Sequence, residues 1–282
     1  MSPVESGRSA AVGRAETLAV TAGPAVKLCG VTRLADLLEA RALGAWAVGL
    51  VFAPSPRRLT PGEARDLLQK AEEAVQRTKR CACGSGEAAA GLVPSNTLSV
   101  LRPGAVDATL GPLTVGVFVD ADADVVASLA TYLGLAAVQL HGEGGATPAA
   151  VRRALTAAGA ENGTLVIKAV GVEPGETDVP GLRSRLQSAS EDADLVLIDA
   201  RVPGMHGGTG RVVPWQVVGE AAAGMRFLLA GGINPQNAAQ ALAASGAWGL
   251  DVSSGVEKAP GIKDPVAMRA LMATVYEKGR TQ

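Results

Sequence analysis

Along this chain, short apolar runs alternate with longer stretches in which apolar residues return every three or four positions. The runs are residues 25–30, 47–52, 114–119, 136–140, 165–170, 195–198, 227–230 and 248–252. Each is short and bounded by Gly, Pro or polar residues, as a buried strand should be. Between them Leu34, Leu37, Leu38, Arg41 and Ala42 outline one helix, and a second runs from about Ala123 to Leu133. Ala238, Ala241 and Leu242, and later Met268, Leu271, Met272 and Val275, keep the same helical spacing. Buried strands that alternate with helices predict an α/β chain around a parallel sheet, because parallel neighbours need a crossover.

Local signals sharpen several boundaries. Thr60-Pro61-Gly62-Glu63 reads as a capping box with proline in the first turn. Asn234 before Pro235 and Asp264 before Pro265 are cap-plus-proline starts, and Trp215 opens the sixth helix. Residues 173–190 hold too many Gly, Pro and polar residues to predict a helix. Two further stretches carry no period. Residues 1–24 are Ser-, Ala- and Gly-rich with Arg8 and Arg14 and are expected to be a disordered extension. A transit peptide is the alternative there, against which Glu5 and Glu16 count. Residues 77–112 have a loop composition and are expected to be an insertion between the second helix and the third strand. Residues 25–279 then form a single domain.

Composition narrows the class. The 282 residues carry 26 Lys and Arg against 27 Asp and Glu, a net charge of −1 with no basic run. That balance excludes the electrostatic footprint of a nucleic-acid or membrane-surface binder and favours a small soluble ligand. No apolar stretch reaches the length of a membrane span. The three cysteines, Cys29, Cys81 and Cys83, do not make a disulfide framework, which points to a reducing, cytoplasmic setting. No set of four metal ligands accompanies the Cys81/Cys83 pair, so no metal is expected.

The candidate chemistry gathers at strand ends. Gly231-Gly232 closes the seventh run and Ser253-Ser254-Gly255 the eighth. Together these loops supply N–H and O–H donors without bulk, as a phosphate requires, although two tight turns would read the same way. Cys29 ends the first run, where a parallel barrel keeps its active site, and the bland alternative is an inert buried thiol. Arg57 and Arg58 follow the second run; either could grip a carboxylate, or both could be solvated. Asp199 ends the sixth run, where shielding can raise a carboxyl's pKa enough for acid work.

The segment Lys27-Leu28-Cys29-Gly30-Val31-Thr32, with the GG…N and DVSSGVE elements near the end of the chain, resembles the phosphoribosylanthranilate isomerases of tryptophan biosynthesis. The resemblance runs from about Val26 to Tyr276. It implies a (β/α)8 TIM barrel, with Cys29 as general base, Asp199 as general acid and Arg57 on the substrate carboxylate; Arg58 is its rival. It also implies that Gln139 and His141 line the cavity, with a structural role for His141 equally open. Residues 207–211 resemble the family's GGSGK loop, with Thr209 and Arg211 in place of serine and lysine, which puts Gly208 and Gly210 at the substrate. Asp251 joins Gly231, Gly232, Ser253 and Ser254 as a substrate contact.

The implied reaction is an Amadori rearrangement of N-(5-phosphoribosyl)anthranilate that needs no metal or organic cofactor. The partner is thus a small phosphorylated molecule, and the oligomeric state is open between monomer and homodimer. For Cys29 to act as a base its thiolate must be favoured, whether by Lys27, by barrel-mouth dipoles or by the substrate. Rival readings are the related sugar-phosphate isomerisation of histidine biosynthesis and a silent phosphate-binding scaffold.

Overall fold

Eight parallel strands close into a barrel, and the alternation read from the sequence is what closes it. The fold is a computed structural model that describes residues 23–82, 111–160, 163–199 and 214–279. The first half holds β1 (Ala25–Cys29), α1 (Leu34–Ala42), β2 (Ala47–Val51), α2 (Pro61–Ala82), β3 (Leu113–Val119), α3 (Ala123–Leu133), β4 (Ala137–His141) and α4 (Pro148–Ala157). The second holds β5 (Leu165–Gly171), α5 (Val179–Glu191), β6 (Leu195–Asp199), α6 (Trp215–Ala221), β7 (Phe227–Ala230), α7 (Ala238–Ser245) and β8 (Gly249–Val252). Each strand pairs with the next in parallel, and β8 closes on β1 through Ala25↔Gly249 to Leu28↔Val252. The expected (β/α)8 barrel is therefore present.

Alternation along each strand sorts residues into two cores. Val26, Leu28, Val48, Leu50, Ile198, Leu229 and Leu250 point outward and pack under the helices. Their neighbours Ala25, Ala47, Leu113, Ala137, Leu165, Leu195 and Leu228 point inward and fill the barrel toward its N-terminal floor. Trp46 and Trp248 meet edge-on there, with ring centroids 5.2 Å apart. Small Ala beside large Leu lets inward layers interdigitate, so the barrel is a packed core rather than a pore.

Local chemistry explains the boundaries. At the start of α2 the capping box is complete: Glu63 accepts from the Thr60 backbone N–H at 2.8 Å, and Thr60 Oγ1 accepts from Glu63 N–H at 3.3 Å. Three expectations need correcting. Residues 179–191 do form a helix, started by Asp178, whose carboxylate accepts from Gly181 N–H at 3.0 Å, with Pro180 in the first turn and Leu182 and Leu186 buried. Helix α2 also continues to Ala82, so residues 77–82 belong to a helix rather than a loop. Helix α7 begins at Ala238 and not beside Asn234, because Asn234 and Asn237 bond each other's backbone and spend that turn on a loop.

One element was not expected from the sequence. After β8 and a single 3-10 turn, β9 (Glu257–Ala259) and β10 (Ile262–Lys263) form a hairpin through Pro260-Gly261, before α8 (Pro265–Gly279). Gly261 has φ 79°, as the third position of a type II turn with proline before it demands. The terminal stretch 1–22, most of the expected insertion (83–110) and the glycine-rich loop at 200–213 lie outside the described residues.

Candidate active site

The same alternation that makes the floor apolar delivers polar residues to the C-terminal mouth. On β1 the inward positions run Ala25, Lys27, Cys29; on β4, Ala137, Gln139, His141; on β6, Leu195, Leu197, Asp199; on β8, Gly249, Asp251. Register sets these side by side. Lys27 pairs with Asp251, Asp251 with Ala230 and Ala230 with Asp199 around the wall, and Cys29 stands one inward step above Lys27. A thiol and a carboxyl from strands 170 residues apart in sequence (199 − 29) thus share one end of one interior.

Cys29 sits among Val51, Ala53 and Val117 at the top of the interior. Below it the fully buried Lys27 Nζ donates to Asp251 Oδ1 at 2.9 Å. Both cation and thiol lie against β2 where Gly49 has no side chain: a Cβ there would come within 2.9 Å of Cys29 Sγ and 3.1 Å of Lys27 Nζ. Burial acts to lower the Lys27 pKa, but Asp251 and then Cys29 outweigh it and hold the ammonium above its ordinary range. For Cys29 the balance differs from the expectation that its pKa is depressed. Burial pushes the thiol up, Lys27 pulls it back and Asp251 pushes it up again, leaving it above the ordinary thiol range. Burial thus favours the Cys29 thiol over its anion, and Lys27 is placed to favour the anion.

The β2–α2 loop brings Arg57 over Gly30, which has φ 73° and no side chain to block the arginine's methylenes. Its guanidinium grips Glu257 in a fork, Nε to Oε1 at 2.8 Å and Nη2 to Oε2 at 2.6 Å. Lys263 Nζ donates to the same Oε1 at 2.8 Å, and also to the carbonyl oxygens of Ser253 and Cys29. Burial alone would raise the Glu257 pKa; hydrogen bonds from Arg57 and Lys263 outweigh it and keep the carboxyl below its usual range. Arg58, by contrast, is exposed.

Gln139 is 1% exposed, and its amide nitrogen contacts His141 Nε2, while its Oε1 has no hydrogen-bond partner among the described residues. On the opposite wall Gly231 and Gly232 take φ of 100° and 64°, left-handed backbone suited to glycine. Gly255 packs so closely on the Ile233 carbonyl that a Cβ would collide with it, so the loops after β7 and β8 converge. Ser253 and Ser254 thereby join the two glycines on one rim, whereas Gly208 and Gly210 lie outside the described residues. Asp251 is engaged first as the counter-ion of Lys27. No cluster of three metal-ligating side chains occurs among the described residues. Sequence reasoning overlooked Glu257 and Lys263; the turn signal Pro260-Gly261 between two charged residues was the available clue.

A family model described as N-(5'phosphoribosyl)anthranilate (PRA) isomerase matches residues 100–274. An N-(5'-phosphoribosyl)anthranilate isomerase of Paracoccus denitrificans is 34% identical over 253 residues, spanning 88% of this chain and 95% of that protein. This chain belongs to the phosphoribosylanthranilate isomerase family. The crystal structure of the family member from Thermotoga maritima superposes with a TM-score of 0.64 at 29% identity, covering 90% of this chain and 99% of that one. A phosphoribosyl anthranilate isomerase in complex with reduced 1-(o-carboxyphenylamino)-1-deoxyribulose 5-phosphate is similar at TM-score 0.62 and 27% identity, with 90% and 99% covered. Family membership makes the chain an isomerase and removes the scaffold and the histidine-pathway reaction as rivals.

Proposed function

We propose that Cys29 is the general base and Asp199 the general acid of the reaction that names the family, the conversion of N-(5-phosphoribosyl)anthranilate to 1-(2-carboxyphenylamino)-1-deoxyribulose 5-phosphate in tryptophan biosynthesis. The observation that carries this reading is the shared interior: both side chains face the same mouth from β1 and β6.

In the first step Asp199 in its acid form gives its proton to the furanose ring oxygen. The C1–O bond breaks and the anthranilate nitrogen's lone pair closes a C1=N bond, leaving a protonated Schiff base and an aspartate anion. In the second step the Cys29 thiol passes its own proton across the shared cavity to the aspartate anion left by the first, and the resulting thiolate takes the proton from C2, which returns both groups to their starting forms. The C–H electrons form C1=C2, the C1=N π pair returns to nitrogen, and an enolamine results. It becomes the ketone when the C2 hydroxyl loses its proton and C1 gains one. The nitrogen is the electron sink, so this route asks for no cofactor.

Timing accounts for the raised thiol pKa. The Schiff base places a positive charge beside C2 only after ring opening, where it adds to Lys27 in favouring the thiolate at the step that uses it. A base ionised only then is protected from side reactions. Gly231, Gly232, Ser253 and Ser254 hold the phosphate, with Gly208 and Gly210 assigned to the same ligand. Arg57, facing the mouth where Arg58 is exposed, meets the aromatic carboxylate, and buried Gln139, half-buried His141 and Asp251 line the cavity.

The deciding experiment follows loss of the substrate's anthranilate fluorescence on adding purified protein, wild type beside Cys29→Ser and Asp199→Asn. Turnover by the wild type, with losses of about 10²-fold or more in each variant, is the expected result. Near-normal turnover in either variant removes that residue from the mechanism.

A further inference from the structure

A buried carboxylate that neither reacts nor contacts the barrel interior's ion pair needs its own explanation, and Glu257 is such a group. Its side chain is 4% exposed, yet it carries a full negative charge between two cations, Arg57 at 17% and Lys263 at 0% exposure. Leaving any one of the three unpaired at this depth would be strongly unfavourable, so they act as a unit. The unit is also tied to the backbone. Lys263 holds the carbonyls of Cys29 and Ser253, the Lys263 N–H donates to the buried Asp36 carboxylate at 3.1 Å, and Thr32 Oγ1 donates to Gly261 O at 2.6 Å. One hairpin thus fastens the ends of β1 and β8 to the arginine of the β2–α2 loop.

We propose that Glu257 is a positioning residue for substrate recognition: by gripping the Nε and Nη2 edge of Arg57 and anchoring that grip through Lys263, it presents the arginine's charge to the aromatic carboxylate at a fixed distance from Cys29. An arginine on a loop would otherwise sample many rotamers, and fixing them in advance removes that cost from binding. The inference rests on the assignment of the carboxylate to Arg57.

The test compares two stable ligands, reduced 1-(o-carboxyphenylamino)-1-deoxyribulose 5-phosphate and its counterpart lacking the ring carboxyl, titrated into wild type, Glu257→Gln, Glu257→Asp and Arg57→Met. Wild type favours the carboxylated ligand. Glu257→Gln weakens that ligand about tenfold while the counterpart stays within about twofold, and KM rises more than kcat falls. Glu257→Asp, which keeps the charge on a shorter arm, restores part of the preference and serves alone if the glutamine variant does not fold. Equal weakening of both ligands, or an undiminished preference in Glu257→Gln, overturns the proposal while leaving Arg57's role intact. A preference that survives Arg57→Met refutes the Arg57 assignment itself.

Discussion

The floor and the mouth of the barrel are built on the same eight strands, from the same inward-facing positions, and differ in almost every property. At the floor Ala25, Ala47, Leu113, Ala137, Leu165 and Leu195 pack without a polar atom among their side chains. Two or four residues further along the same strands the inward positions are Lys27, Cys29, Gln139 and Asp199, all buried. Both sets are buried, so solvent does not explain the difference. Burial at the floor lowers free energy by removing apolar surface from water; burial at the mouth strips charges of hydration and is tolerated only because each has a partner. Stability and chemistry are separated along the strand axis, not between surface and core.

That separation is broken most visibly by variants at the two proposed reacting groups. Cys29→Ser and Asp199→Asn are each expected to lower kcat by about 10² to 10⁴-fold while thermal unfolding hardly moves. The double variant should fall well short of the product of the two losses, because acid and base serve one sequence of steps. Additive losses in the fluorescence assay would mean that the two residues act independently.

Next comes the charge pair under the thiol. Lys27→Met leaves Asp251 buried without its cation and should cost about 3–5 kcal/mol in urea unfolding. Replacing both, Lys27→Met with Asp251→Leu, should recover much of that loss, since paired burial itself stabilises little, yet activity should stay low because the cation beside Cys29 is gone. An active, stable double variant would show that the mouth's ion pair is only packing. At the floor the pattern reverses: Leu165→Ala should cost about 2–5 kcal/mol and leave kcat near that of the wild type.

How much of this the sequence announced follows from the same contrast. The strands were legible because each is an apolar run only four to seven residues long, and α3 was read at its observed limits, Ala123–Leu133, because its apolar spacing is regular. Helix α5 escaped notice because its start is encoded in one aspartate, Asp178, and a proline that also reads as a loop signal. Asp199 and Cys29 stood out as the last residues of apolar runs. Glu257 and Lys263 did not, since their meaning lies in long-range partners, Arg57 and, earlier still, Cys29, and no local period reports a contact 200 or 234 residues away.

The thiol offers a subtler probe through pH. Because the folded pKa of Cys29 lies above that of a free thiol, the unfolded chain loses this proton first as pH rises. From the ordinary thiol range up to the raised folded value the unfolded state binds fewer protons, so this group's contribution to stability falls with rising pH and is neutral below that window. Alkylation by iodoacetamide should accordingly be slower than that of a free cysteine at pH 8 and still climbing beyond pH 9, in protein without ligand. Alkylation as fast as that of a free thiol would mean that Lys27 outweighs burial.

The smallest effect sharpens the comparison by separating place from direction. Every helix that follows a strand starts on the mouth side, so helix caps sit at the functional end of the barrel without belonging to the site. Thr147 is one: its Oγ1 accepts from Ala150 N–H at 3.2 Å and closes the first turn of α4, whose Val151 packs with Val138 and Leu140 outside the barrel interior. Thr147→Ala should cost about 1 kcal/mol of stability and change neither kcat nor KM. If it altered KM as Arg57→Met is expected to, nearness to the mouth would suffice for function. If it does not, what distinguishes Cys29, Asp199 and Arg57 is that their side chains face the cavity, a property set by residue parity along a strand or by a glycine such as Gly30 that lets an arginine cross it.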